Sequence, residues 1–335
     1  MDALLAESIE RFIAGCSTPA VVREVERGQD AAALWVEVDA SGYAELLVDE
    51  AAGGAGLGLR EAFALWLACG RHALPVPLAA TAWVRAVLPL AGVAAPGGAL
   101  TLAAQCSRDA QGAWRCQNLP FGMLADWVLV GDAQGAALLP LAAGERQPTG
   151  VHGSLQAHVR WPVQPSGALP LPVPIDLLPA GALMTATLMA GAMQRVLEAT
   201  LAYANDRAQF GKSIGKFQAV QQQLSVMAEQ VFAARMAAEI GCAGEGIAPH
   251  PLRAAVAKAR ASEAAEKVVA IAHAVHGAIG VTAEYDLQLL TRRLQEWRTD
   301  FGSQAWWHAQ LGQALVAAGL PTLPFMLGGL LPQSP

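Results

Sequence analysis

At 335 residues the chain is long for one compact core, and two or three domains sharing an interface is what its length supports. Hydrophobic residues make up 54% and charged residues only 15% of it, but the apolar content is mostly alanine, and long apolar stretches such as Leu183 to Ala192 are too short and too interrupted by Thr and Gly to span a bilayer. A net charge of −6 without any basic run excludes nucleic acid as a partner. So few charges point to extensive buried helix faces and a sizeable subunit interface. The five cysteines, Cys16, Cys69, Cys106, Cys116 and Cys242, are scattered and lack metal-ligand spacing, so they read as reduced intracellular thiols. Met1 leads into Asp2 and Glu7 rather than a basic region followed by an apolar core. No signal peptide is visible, and a cytoplasmic location is the default expectation.

Along the chain, composition predicts three units. Residues 1–95 form a mainly helical unit, with helical spacing of apolar residues over Leu4 to Ile13 and Leu59 to Cys69 around the Gly-rich Ala51 to Gly58. Residues 96–172 form a small β unit with strands over Ala99 to Ala104, Trp127 to Val130, Ala136 to Leu141 and Leu155 to Trp161. Trp161 to Pro174, across the boundary to the next unit, is a Pro- and Gly-rich linker. Residues 173–335 return to helical periodicity, sustained with breaks from about Leu178 to Ala318.

The stretch from Tyr203 to Gln218, Tyr-Ala-Asn-Asp-Arg-Ala-Gln-Phe-Gly-Lys-Ser-Ile-Gly-Lys-Phe-Gln, interrupts two long alanine-rich helical patterns. Arg207 ends one helix, Gly211 and Gly215 break the pattern, and Phe217 and Gln218 open the next helix. A cation, an amide, an aromatic and glycines at one helix boundary suit a phosphate-bearing aromatic ligand. Arg207 can pair with a pyrophosphate, Phe210 can cover a ring, and glycines let the backbone approach closely. The other reading of these residues is an ordinary turn with a surface arginine.

This stretch resembles the flavin-binding signature of the acyl-CoA dehydrogenases, and the resemblance extends over most of the chain. Ser41 to Gly58, with its Gly-Gly-Ala-Gly-Leu-Gly end, is similar to the family's N-terminal glycine-rich loop, and Leu119 to Gly131 to its strand leading into an Ala-Asp pair. Ala274 to Arg293 matches a second motif, a Gly-rich turn that the resemblance places on the flavin of a neighbouring subunit. The resemblance implies a helical N-terminal domain, a middle β-barrel and a C-terminal four-helix bundle. It implies FAD, held by Arg207, Gln209, Phe210, Gln218, Gly277 and Gly280. His276 either points at the ligand or is satisfied by backbone, and Glu284, Arg292 and Arg293 read as a structural charge network.

The implied reaction is α,β-dehydrogenation of an acyl-CoA thioester to the 2-enoyl-CoA, with an electron-transferring flavoprotein as acceptor. It needs a carboxylate to take the α proton. Most members carry that base as a Glu before Gly-Thr, and here the matching stretch reads Asp300-Phe301-Gly302-Ser303. The family's alternative position falls near Gly181 and Ala182, neither of which accepts a proton. Asp300 is one residue away, which in a helix would turn it about 100° from Phe301. It is the candidate base, with a solvated surface carboxylate as the other reading. The family's Thr-Glu-Pro segment is missing, with Thr101-Leu-Ala-Ala-Gln its nearest remnant. These departures, and the His276 to Asp286 motif, resemble the bacterial heteromeric enzymes built from two unlike subunits, several of which act on steroid or other bulky CoA thioesters. Two functions follow. One is an FAD-dependent acyl-CoA dehydrogenase active as a homo-oligomer. The other is a non-catalytic, flavin-site-completing subunit of a paralogous chain.

Overall fold

A computed structural model describes residues 3–132, 134–173 and 175–329. Met1, Asp2 and Pro174, which enter the sequence reading, lie outside the described residues. Five helices come first: α1 (Ala3–Cys16), α2 (Pro19–Glu26), α3 (Ala32–Ala40), α4 (Leu59–Arg71) and α5 (Leu78–Leu90). Eight strands follow: β1 (Leu100–Ala103), β2 (Cys106–Arg108), β3 (Trp114–Leu119), β4 (Trp127–Asp132), β5 (Gly135–Pro140), β6 (Glu145–Pro148), β7 (Ala157–Arg160) and β8 (Leu169–Leu171). The rest is helical apart from one small hairpin. It comprises α6 (Leu177–Asp206), hairpin strands β9 (Ala208–Gln209) and β10 (Lys212–Ser213), α7 (Gln218–Cys242), α8 (Pro251–His276), α9 (Leu287–Trp297), α10 (Gln304–Ala318) and α11 (Thr322–Gly329).

The strands form two four-stranded sheets, ordered β1-β4-β5-β8 and β2-β3-β7-β6. Val128, Val130 and Leu139 of the first pack against Trp114, Cys116 and Val159 of the second in a separate small core. Four of the eight strands escape the sequence pattern. β6 is exposed throughout and has no apolar alternation to reveal it. β8 lies inside the segment read as a linker, where Pro170 is tolerated because the strand is at a sheet edge.

The cysteine reading needs correction. Cys106 and Cys116 stand directly opposite each other across β2 and β3, with Cα atoms 4.4 Å apart, and are joined as a disulfide. Sequence spacing cannot show a pairing that strand register creates. Cys16, Cys69 and Cys242 are free and buried, and burial pushes all three thiols above their ordinary range.

Helix α6 is the axis of the molecule. Asp176 caps its N-terminus through the Leu178 amide, a contact worth about 1 kcal/mol. It packs against α4, α7, α8 and α9. A Cβ on Gly70 of α4 would collide with the Leu188 carbonyl, and one on Gly191 of α6 with that of Leu67. Each glycine costs about 1 kcal/mol of helix propensity relative to alanine, and the pair lets the two backbones touch. At 30 residues α6 is long and apolar enough to cross a membrane by length and composition. The apolar stretch is thus longer than the sequence reading has it, but 89% of its most apolar window is buried inside the fold. The segment 251–281 also meets that criterion.

A candidate flavin-holding end and a candidate catalytic cleft

The C-terminal end of α6 carries the first motif. Arg207 leaves the helix in an extended conformation. Gln209 then pairs with Lys212 and Ala208 with Ser213, so that Phe210 and Gly211 are the two turn residues of a β-hairpin. Their φ values of 52° and 80° are those of a type I′ turn. Positive φ is strained for phenylalanine, and Phe210 is 91% exposed. Lys212 lies over the ring of Phe217 at 4.4 Å, which stiffens the base of the hairpin. Arg207, Gln209 and Gln218 are exposed beside it. Among the described residues no side chain pairs with the Arg207 guanidinium.

An aromatic cluster brings the second motif to the same end. Tyr203 in the last turn of α6 stacks on His276 in the last turn of α8, with ring centroids 4.4 Å apart, and its hydroxyl donates to the His276 carbonyl at 3.3 Å. Tyr285 closes the cluster edge-on. The turn Gly277–Val281 thus begins directly after the residue that Tyr203 contacts at the C-terminal end of α6. Its two glycines differ. Gly277 is exposed, has φ 65° and faces open space. Gly280 is buried, and a Cβ there would stand 2.9 Å from that of His276, so its small size serves internal packing. His276 follows the backbone-satisfied reading: it is buried, with Nδ1 2.8 Å from the Ala272 carbonyl, and burial lowers its pKa. Nε2 is buried without a partner among the described residues. Arg292 and Arg293 join a charge network, but its acid is Glu26 of α2. Glu284 contributes a main-chain carbonyl to Arg23 instead.

The other end of α6 faces the sheets. Phe301 has φ 53° and Gly302 φ 100°, and the phenyl ring of Phe301 lies where a side chain on Gly181 would be. The two positions at which the resemblance puts a base are therefore in contact, and an aromatic ring fills them. Asp300 and Phe301 line a narrow cleft of about 20 Å³ together with Ala103, Ala104, Gln105, Gln117, Asn118 and Pro120. The register of β3 against β7 shifts between Cys116 and Leu119, and Asn118 has φ 50°. Such a bulge re-aims side chains, here those of Gln117 and Asn118 at the cleft rim. The Thr101 hydroxyl donates to the Pro120 carbonyl at 2.9 Å, locking β1 to the segment after β3.

Asp300 differs from both expectations of it. Because α9 ends at Trp297, Asp300 and Phe301 lie in a turn, the helical angle does not apply, and both reach the same cleft. Nor is the carboxylate a free surface group: the residue is partly buried. Gln156 Nε2 donates to both its oxygens, at 3.0 and 2.8 Å. Burial raises its pKa to about 7 against the opposing effects of the Gln156 hydrogen bond and the Lys258 charge. Lys258 is fully buried in α8. Helical spacing from Ala254, Ala261 and Ala265 puts it on the apolar face, although a single lysine among alanines carries little signal in the sequence.

An exposed, arginine-bearing edge and a carboxylate cleft lie toward opposite ends of one bundle helix, and the comparisons place that arrangement in a family of flavin-dependent enzymes. Residues 171–315 match the family model "Acyl-CoA dehydrogenase, C-terminal domain". The acyl-CoA dehydrogenase IpdE2 of Mycobacterium tuberculosis is 30% identical over 293 residues, covering 87% of this chain and 89% of the relative. The solved structure of the Tcur3481-Tcur3483 steroid ACAD is 26% identical, with a TM-score of 0.80 over 94% of this chain and 97% of the other. The ChsE4-ChsE5 complex from Mycobacterium tuberculosis, at 22% identity and TM-score 0.78 over 95% and 97%, shares the fold. The chain belongs to the acyl-CoA dehydrogenase family.

Proposed function

We propose that this chain is a subunit of an FAD-dependent dehydrogenase that removes hydrogens from the α and β carbons of an acyl-CoA thioester to give the 2-enoyl-CoA, with its flavin site shared between two chains. One observation carries the sharing. Gly181, which touches the cleft residue Phe301, and Arg207 lie on one helix, about 39 Å apart at 1.5 Å per residue. That is too far for one dinucleotide to meet both within a single chain. The exposed hairpin therefore serves a neighbouring chain's cleft.

The residues at the hairpin end fit the cofactor. Arg207 is charged and has no internal partner among the described residues to compete for it, Phe210 is exposed, and the bare backbone of Gly277 is open to a pyrophosphate. Bound FAD supplies the hydride acceptor. The chain's own residues bind it, exclude water and hold a base. Asp300 is that base: it reaches the cleft, Gln156 fixes its orientation, and burial brings its proton affinity near neutrality, where a general base works best. An electron-transferring flavoprotein as acceptor and a cytoplasmic location belong to the same reading.

A second reading has its own observation. Because the Phe301 ring lies against Gly181, the chain can serve as a non-catalytic subunit that completes the flavin site of a paralogous, base-bearing chain, with a steroid-derived or other bulky CoA thioester as substrate. Anaerobic titration of the gently purified protein with a panel of acyl-CoA thioesters separates the two. Bleaching of bound flavin by the isolated protein supports the first, and a flavin spectrum that bleaches only after a second chain is added supports the other.

A further inference from the structure

Lys258 is the one lysine buried to 0% exposure among the described residues, and nothing above gives it a task. Its ammonium donates to the Ser262 hydroxyl at 3.0 Å, to the Arg298 carbonyl at 3.1 Å and to the Gly302 carbonyl at 3.2 Å. An ammonium has three donors, and all three are used. The two carbonyls bracket the turn that carries Asp300 and Phe301. That turn holds two consecutive residues at positive φ, one of them an aromatic. Such a backbone persists only where its surroundings over-determine it. Lys258 from α8 supplies two of the constraints, and Trp307 from α10 supplies another through its Nε1 bond to the Phe301 carbonyl at 2.9 Å.

We propose that Lys258 is the positioning residue of the cleft: it clamps the 298–302 turn through the Arg298 and Gly302 carbonyls and brings its ammonium within electrostatic reach of Asp300, so that the carboxylate is held in place at the cleft and Phe301 is held over Gly181. The inference rests on the reading of Asp300 as the base, but its geometry stands on main-chain contacts. The charged groups around the pair are few. Glu296 comes from α9 and Arg298 from the turn after it, and the Gln156 amide faces Asp300 from the segment before β7. Burial lowers the Lys258 pKa, and the Asp300 carboxylate opposes that effect. Removing the ammonium leaves Gln156 as the carboxylate's chief stabilising partner, with Glu296 repelling it.

The test uses the full-length protein labelled with ¹³C at the aspartate carboxyl carbons, with Asp300 assigned by its absence in Asp300→Asn. Lys258→Met should move the Asp300 midpoint upward by about one pH unit or more, and Lys258→Arg, which keeps the charge, should leave it near its original value. The same shift should appear in the pH profile of flavin bleaching, read per bound flavin. An Asp300 midpoint indifferent to Lys258→Met overturns the inference. Should wild-type protein never bleach, the reading of Asp300 as base fails, and the carboxyl titration still decides the role of Lys258. Should Lys258→Met not fold, the wild-type protein decides: a Lys258 ¹³Cε resonance that responds to Asp300 ionisation is the expected result, and one that titrates independently overturns the proposal.

Discussion

The two ends of α6 differ in what their side chains lack. At the C-terminal end Arg207, Gln209, Phe210 and Gly277 are exposed around a rigid hairpin, and their chemistry is turned outward. At the N-terminal end the potential donors and acceptors are turned inward: Asp300 is held by Gln156, and Lys258 by two carbonyls and a serine. An outward edge of unpaired groups waits for another molecule, whereas an inward network is finished within the chain. Under the proposed function, the contrast assigns the cofactor-holding surface and the catalytic cleft of one chain to different sites of an assembly.

The largest expected effect is at the inward end. Asp300→Asn should slow flavin bleaching by about 10²–10⁴-fold, the usual size of a general-base contribution, with flavin content unchanged. Unchanged bleaching would remove Asp300 from the mechanism. In wild-type protein the bleaching rate should rise with pH through a midpoint near 7, because the base takes a proton only once it has lost its own. A midpoint in the ordinary carboxylate range would contradict the burial of this group.

Next in size is the outward end. Arg207→Ala removes a charge-assisted contact of about 1.5–3 kcal/mol and should weaken flavin retention by roughly 10–100-fold, read as flavin absorbance after gel filtration. Full occupancy would count against the assignment. If the ends of one chain serve different sites, mixed oligomers of Arg207→Ala and Asp300→Asn chains should regain bleaching, since each hybrid contains one intact site. No recovery on mixing would place both motifs in one site.

The smallest effect separates the two glycines of the second motif. Gly280→Ala introduces a Cβ 2.9 Å from that of His276 and should lower stability by about 1–3 kcal/mol, seen in thermal unfolding. Gly277→Ala meets open space, so its cost is backbone strain alone: φ 65° with ψ −145° is a conformation essentially confined to glycine, and leaving glycine there costs about 1–3 kcal/mol. Full stability of Gly280→Ala would remove its packing role.

The outward end was legible in the sequence because its residues are contiguous: a cation, an aromatic and glycines in one break between helices. The helices were legible for a similar reason, since α1, α4 and α6 repeat their apolar residues with helical spacing. The inward end is assembled from Gly181, Gln156, Lys258 and Asp300, which are far apart in sequence and meet only in the fold. A lone lysine in an alanine-rich helix carries little signal, and its place on the apolar face becomes telling only once the helix is known to be buried. The turn after Trp297 was hidden because an apparently continuous helical pattern ran through it. The Cys106–Cys116 pair was hidden because strand register, rather than spacing, creates it.

If one flavin lies across two chains, a structure of the FAD-loaded assembly shows it directly. The pyrophosphate should lie against Arg207 and Gly277 of one chain and the flavin ring in a cleft of its neighbour. A flavin held entirely by the residues of a single chain would contradict that sharing.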